Sequence, residues 1–265
     1  MLKGKVAVIT GGTRGIGFAT AKKFLENEAK VVLLGSKQET VEKAIKELKQ
    51  IDSSYEVIGF YPNLSSKEEM NEVFKKVKEI YGRIDILINN AGFGLFGIFT
   101  EADLTRELEM IDLNIKAYHI LTKLFLKDFV EKDKGYILNV ASSAGFMAGP
   151  RLSTYYATKN YVLKLTMAIN EELRQSGSNV VVSALCPGPV NTNFNKVAMG
   201  EFSIKEASPK YVAEYAIDKM FKKKMIIVPT LRIKLGIFLL RLIPYRLQLI
   251  YCYHIQGKKL GIKKK

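Results

Sequence analysis

Short, nearly unbroken apolar runs alternate along this chain with longer stretches in which apolar residues return every three or four positions. The runs fall at 5–10, 30–35, 55–61, 84–89, 134–140, 179–185 and 225–228. Near-continuous Val, Ile and Leu over so few residues suits strands covered on both faces, as in a parallel sheet. The segments between them, near 15–28, 38–51, 66–81, 103–131, 154–176 and 208–223, read as amphipathic helices. This alternation predicts an α/β fold, a doubly wound sheet of seven parallel strands with helices on both faces. No repeat, linker or composition break precedes residue 229, so residues 1–229 are expected to form one domain.

Beyond Pro229 the pattern changes. Residues 235–251 are rich in bulky apolar side chains but are interrupted by Arg241, Pro244 and Arg246. A spanning helix needs about 20 predominantly apolar residues with few charges, and this segment falls short. Residues 230–265 are therefore expected to be a basic, apolar extension. It rests either on protein, capping a pocket or completing a dimer, or on a membrane surface.

Charge sharpens that division. The net charge is +15, yet residues 219–265 contain thirteen Lys and Arg and no Asp or Glu. Residues 1–218 carry only +2. Charge this localised needs a local explanation, and no recognisable module supports a nucleic-acid partner. The 48% hydrophobic content over 265 residues excludes global disorder and provides for a large core. Cys186 and Cys252 match no metal-ligand spacing and are expected to be inert packing thiols. His119 and His254 are isolated, so no metal site is expected. The start, Met1-Leu2-Lys3-Gly4-Lys5, lacks a signal-type apolar region, and a cytoplasmic location is expected.

Two clusters carry chemistry. Thr10-Gly11-Gly12-Thr13-Arg14-Gly15-Ile16-Gly17 follows the first apolar run, where glycines let a phosphate-bearing ligand approach the backbone at a helix start. Tyr155 and Lys159 stand four apart, which puts a phenol and an ammonium on one helix face. There the cation is expected to favour phenolate and lower the tyrosine's pKa. Ser142 lies thirteen residues before Tyr155, whereas the neighbouring Tyr156 is only three from Lys159.

With Asn89-Asn90-Ala91-Gly92, Asn114 and Pro187-Gly188-Pro189-Val190-Asn191-Thr192, these pieces closely resemble the short-chain dehydrogenase/reductase family from Lys5 to Pro229. The resemblance implies a Rossmann fold and an NAD(P)-dependent oxidoreductase acting on CH–OH donors. It implies Tyr155 as general acid or base, Lys159 as its partner and ligand of the nicotinamide ribose, and Ser142 as donor to the substrate oxygen. Asn114 would hold a water in a proton relay. It places Thr10, Gly11, Thr13, Arg14, Gly15, Ile16 and Gly17 around the pyrophosphate, and Asn63 and Leu64 beside adenine. Asn90, Ala91 and Gly92 would line the cofactor, and Pro187, Gly188, Val190 and Thr192 the nicotinamide. Asn63 departs from the family's usual Asp, although its amide oxygen can still accept a hydrogen bond.

An NAD enzyme usually carries an acidic residue after strand two; here Gly35-Ser36-Lys37 follows instead. Ser36, Lys37 and Arg14 are expected to meet a ribose 2′-phosphate, so NADP(H) is expected before NAD(H). Phe93, Leu95, Phe96, Phe146, Met147 and Phe194 suggest an apolar pocket, closed by a mobile lid over 191–206. The expected substrate is a hydrophobic secondary alcohol or its ketone, a hydroxysteroid among them. A 3-oxoacyl thioester of lipid metabolism and a non-catalytic dinucleotide sensor are the alternatives. The extension resembles the hydroxysteroid and long-chain oxoacyl reductase branch, and the family resemblance implies a homodimer or homotetramer.

Overall fold

All seven expected strands form, pairing in parallel in the order β3-β2-β1-β4-β5-β6-β7 in the computed structural model. The structure describes residues 2–192, 194 and 206–259. The strands are β1 (Val6–Thr10), β2 (Lys30–Leu34), β3 (Val57–Phe60), β4 (Ile86–Asn89), β5 (Tyr136–Val140), β6 (Val181–Leu185) and β7 (Ile226–Ile227). Between them run α1 (Gly15–Leu25), α2 (Gln38–Ile51), α3 (Lys67–Tyr81), α4 (Leu104–Ile111), α5 (Ala117–Glu131), α6 (Ser153–Gln175) and α7 (Pro209–Phe221). Two further helices, α8 (Leu231–Leu240) and α9 (Tyr245–Lys259), follow β7.

Alternation along each strand divides the core into two layers. In β1, Ala7 and Ile9 pack with Phe24, Leu48 and Met220 beneath α1, α2 and α7. Val6 and Val8 face the other way, toward Met70, Val73, Leu121 and Phe125 of α3 and α5. Each fully buried side chain of this size contributes about 1.5–3 kcal/mol. This two-sided burial explains why the strands read as continuous apolar runs. Strand order reverses about β1, whose neighbours are β2 and β4. That reversal opens a crevice at the carboxyl ends of the strands, where α/β sheets place ligands.

One expectation needs correction. The single helix expected over 103–131 is α4, a five-residue π-helix (Asp112–Lys116) and α5. Among the described residues of the 230–265 extension, α8 and α9 both lie against the Rossmann body. Ile237 is buried beside Val162, Leu163, Cys186 and Val228, with Ile233 packed against the same cluster. Gln248 Nε2 donates to the carbonyls of Leu240 and Ile243, at 2.8 and 2.7 Å, tying the start of α9 to the end of α8. Cys186 and Cys252 are buried, and neither is in a disulfide among the described residues.

Candidate active site

The loop from β1 to α1 is held open by backbone geometry. Gly11 has φ +61° and Gly15 φ +58°, conformations that favour glycine. A Cβ on Gly17 would lie 2.2 Å from the Gly11 carbonyl oxygen, so no larger residue fits beneath the turn. The N-cap residue of α1, Arg14, makes no side-chain cap hydrogen bond, and the first turn contains no acidic residue. Its N–H groups and positive dipole end thus remain available to an anion. This arrangement fits a dinucleotide pyrophosphate. Thr192 lies over the same turn, its methyl 3.1 Å from the Cβ position of Gly15.

Thr10 and Asn90 brace this loop with their side chains. Thr10 Oγ1 accepts from the N–H groups of Asn90 and Ala91, at 2.9 and 3.0 Å. Asn90 Nδ2 donates back to the carbonyls of Thr10 and Gly11, at 3.1 and 3.0 Å. Gly92 is small for a similar reason: a Cβ there would lie 2.7 Å from Asn114 Oδ1 and 3.5 Å from Lys159 Nζ. Ile16 packs against the core, and the methyl of Thr13 lies near Gly35.

At the end of β2, Ser36 and Lys37 are exposed, as is Arg14 at the start of α1. Neither cation forms an ion pair among the described residues. Asn63 Oδ1 already accepts from Ser65 N at 3.0 Å, leaving one lone pair for a ligand. The Leu64 side chain is core, packed with Val32 and Met70, so only its backbone can meet a ligand.

Tyr155 and Lys159 share one face of α6, buried to 9% and 4% exposure. Burial pushes the Tyr155 phenol up to about 12, and a hydrogen bond with Ser142 pulls in the opposite direction. Burial brings the Lys159 ammonium down to about 8, with nearby Cys186 opposing the change. The expected lowering of the tyrosine by the lysine is therefore not the dominant effect in the protein alone. Lys159 Nζ donates to the Val140 carbonyl at 2.9 Å and lies 5.8 Å from the centre of the Tyr155 ring. Each group is driven toward its neutral form by the same dry surroundings.

Asn114 sits within the π-helix and is fully buried. Its Nδ2 donates to Phe93 O at 2.9 Å and Thr158 Oγ1 at 3.1 Å, while its Oδ1 accepts from Phe93 N at 3.1 Å. The amide thus joins the loop after β4 to α6. Ser142 Oγ accepts from Ala144 N at 3.1 Å at the start of a short 3₁₀ turn. The turn's position is fixed by Ser143 N donating to Pro187 O at 2.8 Å.

Around the phenol, Phe96, Met110, Ala144, Leu152 and Tyr155 form a buried cluster, with Phe93, Leu95, Tyr156 and Phe194 against it. Phe146 packs elsewhere, with Tyr118 and the α8 side chains. Val190 belongs to the core, bridged to Ala207. Gly188 lies under Ile233 of α8, which comes within 2.8 Å of its Cβ position. Of the expected lid, residues 193 and 195–205 lie outside the described residues.

Several positioning residues escaped the sequence reading. Asn160 Nδ2 donates to the carbonyls of Ala144, Met147 and Tyr156, clamping the loop beside Ser142. Thr158 Oγ1 donates to the Tyr155 carbonyl at 2.7 Å. Gln256 of α9 donates to Tyr156 Oη at 2.6 Å. The position of Asn160 directly after Lys159 was the only available signal for any of them.

Residues 5–200 match the family described as short chain dehydrogenase. A 3alpha-hydroxysteroid dehydrogenase of Mediterraneibacter gnavus is 39% identical over 194 residues, 73% of this chain and 77% of that protein. An uncharacterized oxidoreductase of Staphylococcus saprophyticus is 35% identical over 220 residues, 82% of this chain and 91% of its own. Among solved structures, a short-chain dehydrogenase/reductase from Burkholderia phymatum in complex with NAD has a TM-score of 0.85 at 23% identity, covering 94% of this chain and 96% of that one. A short-chain dehydrogenase from Sphingobium yanoikuyae in complex with NADPH has a TM-score of 0.77 at 26% identity, covering 86% and 88%. The uncapped glycine turn and the Ser142, Tyr155 and Lys159 cluster thus stand in a chain that belongs to the short-chain dehydrogenase/reductase family of oxidoreductases.

Proposed function

We propose that the protein is an NADP(H)-dependent reductase and dehydrogenase interconverting a hydrophobic secondary alcohol and its ketone, with steroid-sized substrates first among them. The observation that carries this reading is the Tyr155 phenol facing Ser142 inside a wall of Phe93, Leu95, Phe96, Leu152 and Phe194. An apolar wall with few polar groups favours a large hydrophobic ketone over a sugar, which needs many fixed hydrogen-bond partners. The similarity to a 3alpha-hydroxysteroid dehydrogenase points the same way.

A dinucleotide held here would supply or accept the hydride. In the reducing direction Tyr155 Oη would give its proton to the substrate's carbonyl oxygen. Ser142 Oγ donates to that oxygen and stabilises its developing charge. Lys159 would hold the nicotinamide ribose and, once protonated beside the phenol, favours loss of the Tyr155 proton. Asn114 holds the loop of Phe93 and α6 in register, and its remaining acceptor capacity suits a relay water. The preference for NADP(H) rests on Arg14 and Lys37, exposed cations on the two loops that would flank a 2′-phosphate, where β2 ends without a carboxylate.

The test is oxidation of NADPH and NADH against steroid ketones, oxoacyl thioesters and small ketones. NADPH with steroid ketones is expected to give the highest kcat/KM. Tyr155→Phe should lower turnover by about 10²–10⁴ while retaining dinucleotide affinity. Arg14→Gln with Lys37→Gln should weaken NADPH far more than NADH, at about 1.5–3 kcal/mol per charge-assisted hydrogen bond. A parent enzyme equally efficient with NADH would overturn the cofactor assignment, and full turnover by Tyr155→Phe would overturn the proton donor.

A further inference from the structure

The outer surface formed by α8 and α9 carries the wrong residues for water. α9 turns Gln248 and Gln256 inward, at 8% and 2% exposure, and leaves Tyr245, Leu247 and Tyr251 outside at 80%, 56% and 65%. A helix facing water does the reverse. Among the described residues, twelve exposed large apolar side chains fall between Leu231 and Tyr253. Such density within 23 residues is far from the single scattered apolar side chains of an ordinary surface. Interleaved with them are the exposed cations Arg232, Arg241 and Arg246, none in an ion pair among the described residues. The last acid before this stretch, Asp218, is already held by Lys219 and Lys222.

We propose that α8 and α9 dock the protein on an anionic lipid surface, lying along the headgroup boundary with their exposed apolar side chains inserted. Charge decides between lipid and a second copy of the chain. A two-fold interface sets a patch against itself. Here that would oppose cations to cations, because residues 219–265 contain no Asp or Glu to separate them. Acidic headgroups neutralise the same residues. Helix length decides between lying on the bilayer and crossing it. The 10 and 15 residues of α8 and α9 reach about 15 and 23 Å, short of a hydrocarbon core of about 30 Å. No helix among the described residues is long and apolar enough to span. Tyrosine and arginine mixed with leucine are the composition of the membrane–water boundary.

Docking has a consequence for the site. The inner faces of the same helices place Ile233 over Gly188 and Gln256 on Tyr156. Arg151, whose guanidinium stacks 3.9 Å over the Tyr253 ring, accepts at its carbonyl from Gly97 N, beside exposed Ile98 and Phe99. The wall around Tyr155 is thus connected to the surface that meets lipid, so an apolar substrate would leave the bilayer beside it.

The full-length protein should float with vesicles of phosphatidylcholine containing phosphatidylglycerol at low salt, and be released at high salt. Arg241→Gln with Arg246→Gln should reduce partitioning roughly thirtyfold, about fivefold for each cation. Leu242→Ser with Tyr245→Ser should reduce it without changing the melting temperature. The chain contains no tryptophan, so Tyr251→Trp introduces a single indole whose emission should move to the blue on binding. Failure to float, flotation unaffected by either pair, or indole emission unchanged by vesicles would each overturn the proposal. So would a solution dimer dissociated by these substitutions in a protein that ignores vesicles, which would assign the face to a second copy.

Discussion

Lys159 is a cation in a place that disfavours cations. Its folded pKa of about 8 lies below the ordinary 10.5 because burial penalises the ammonium, with Cys186 opposing. Between those values the unfolded chain keeps a proton that the folded protein has released, so this group makes stability rise with pH across that window. Below about 8 the cost of the buried charge is present in full. Tyr155 acts in the opposite sense: its folded value of about 12 exceeds 10.0, so stability falls as pH rises between them. Lys159→Met should therefore be more stable than the parent at pH 7, by a few kcal/mol, since each tenfold loss of proton affinity corresponds to about 1.4 kcal/mol. The substitution leaves Val140 O satisfied, because Tyr118 Oη also donates to it, at 3.1 Å. Thermal unfolding from pH 7 to 10.5 should show this advantage shrinking as pH rises, in a variant that has lost turnover. A pH-independent difference would remove burial as the cause. The spacing of Tyr155 and Lys159 was legible in the sequence because a helix face depends only on offset. The environment was not, since dryness comes from side chains brought together from distant elements.

Elements were read better than their joints. The seven strands stood out because burial on both faces demands unbroken apolar runs, although β3 and β7 are shorter than expected, at 4 and 2 residues. The π-helix was invisible. Its hydrogen bonding is shown by Ala117 N reaching back to Asp112 O, and apolar periodicity reads much the same on either side of such a turn. Yet that joint is what directs Asn114 at the Phe93 backbone. The α1 start shows the converse, a motif legible to the residue. Gly11 and Gly17 are required by close backbone approach, and the absence of a side-chain cap leaves N–H groups for an anion. Gly17→Ala forces a Cβ to within 2.2 Å of Gly11 O, a contact with backbone that no rotamer relieves. The expected cost is about 1–3 kcal/mol of stability, as for other overpacked sites. Dinucleotide affinity should fall with it, because displacement of α1 moves the anion site. Calorimetry of NADPH binding alongside denaturant unfolding checks both; unchanged affinity in a destabilised protein would separate the turn from the ligand.

At the scale of the whole molecule, the extension is bound to the site by a contact between residues 100 positions apart, Gln256 and Tyr156. No local pattern announces such a pair, and Tyr156 drew notice in the sequence only as a competitor of Tyr155. The two tyrosine rings are edge to face at 6.2 Å, so the residue that anchors α9 also touches the proposed acid. The energetics of this anchor are asymmetric. Tyr156→Phe deletes the oxygen acceptor and leaves the buried Gln256 Nε2 only the Cys252 sulfur at 3.9 Å, beside an Oε1 that has no partner among the described residues. Leaving a buried donor unsatisfied costs about 1–3 kcal/mol, whereas replacing both partners by apolar groups of similar shape is close to neutral. Tyr156→Phe alone should therefore destabilise more than Tyr156→Phe combined with Gln256→Leu. A double-mutant cycle should give a coupling of about 0.5–3 kcal/mol. Denaturant unfolding of the four proteins measures it, and hydrogen exchange across residues 245–259 should accelerate most in the Tyr156→Phe single variant. Strict additivity would mean that the Gln256–Tyr156 hydrogen bond adds nothing to the hold of α9 on α6, leaving its contacts with α8 and Arg151.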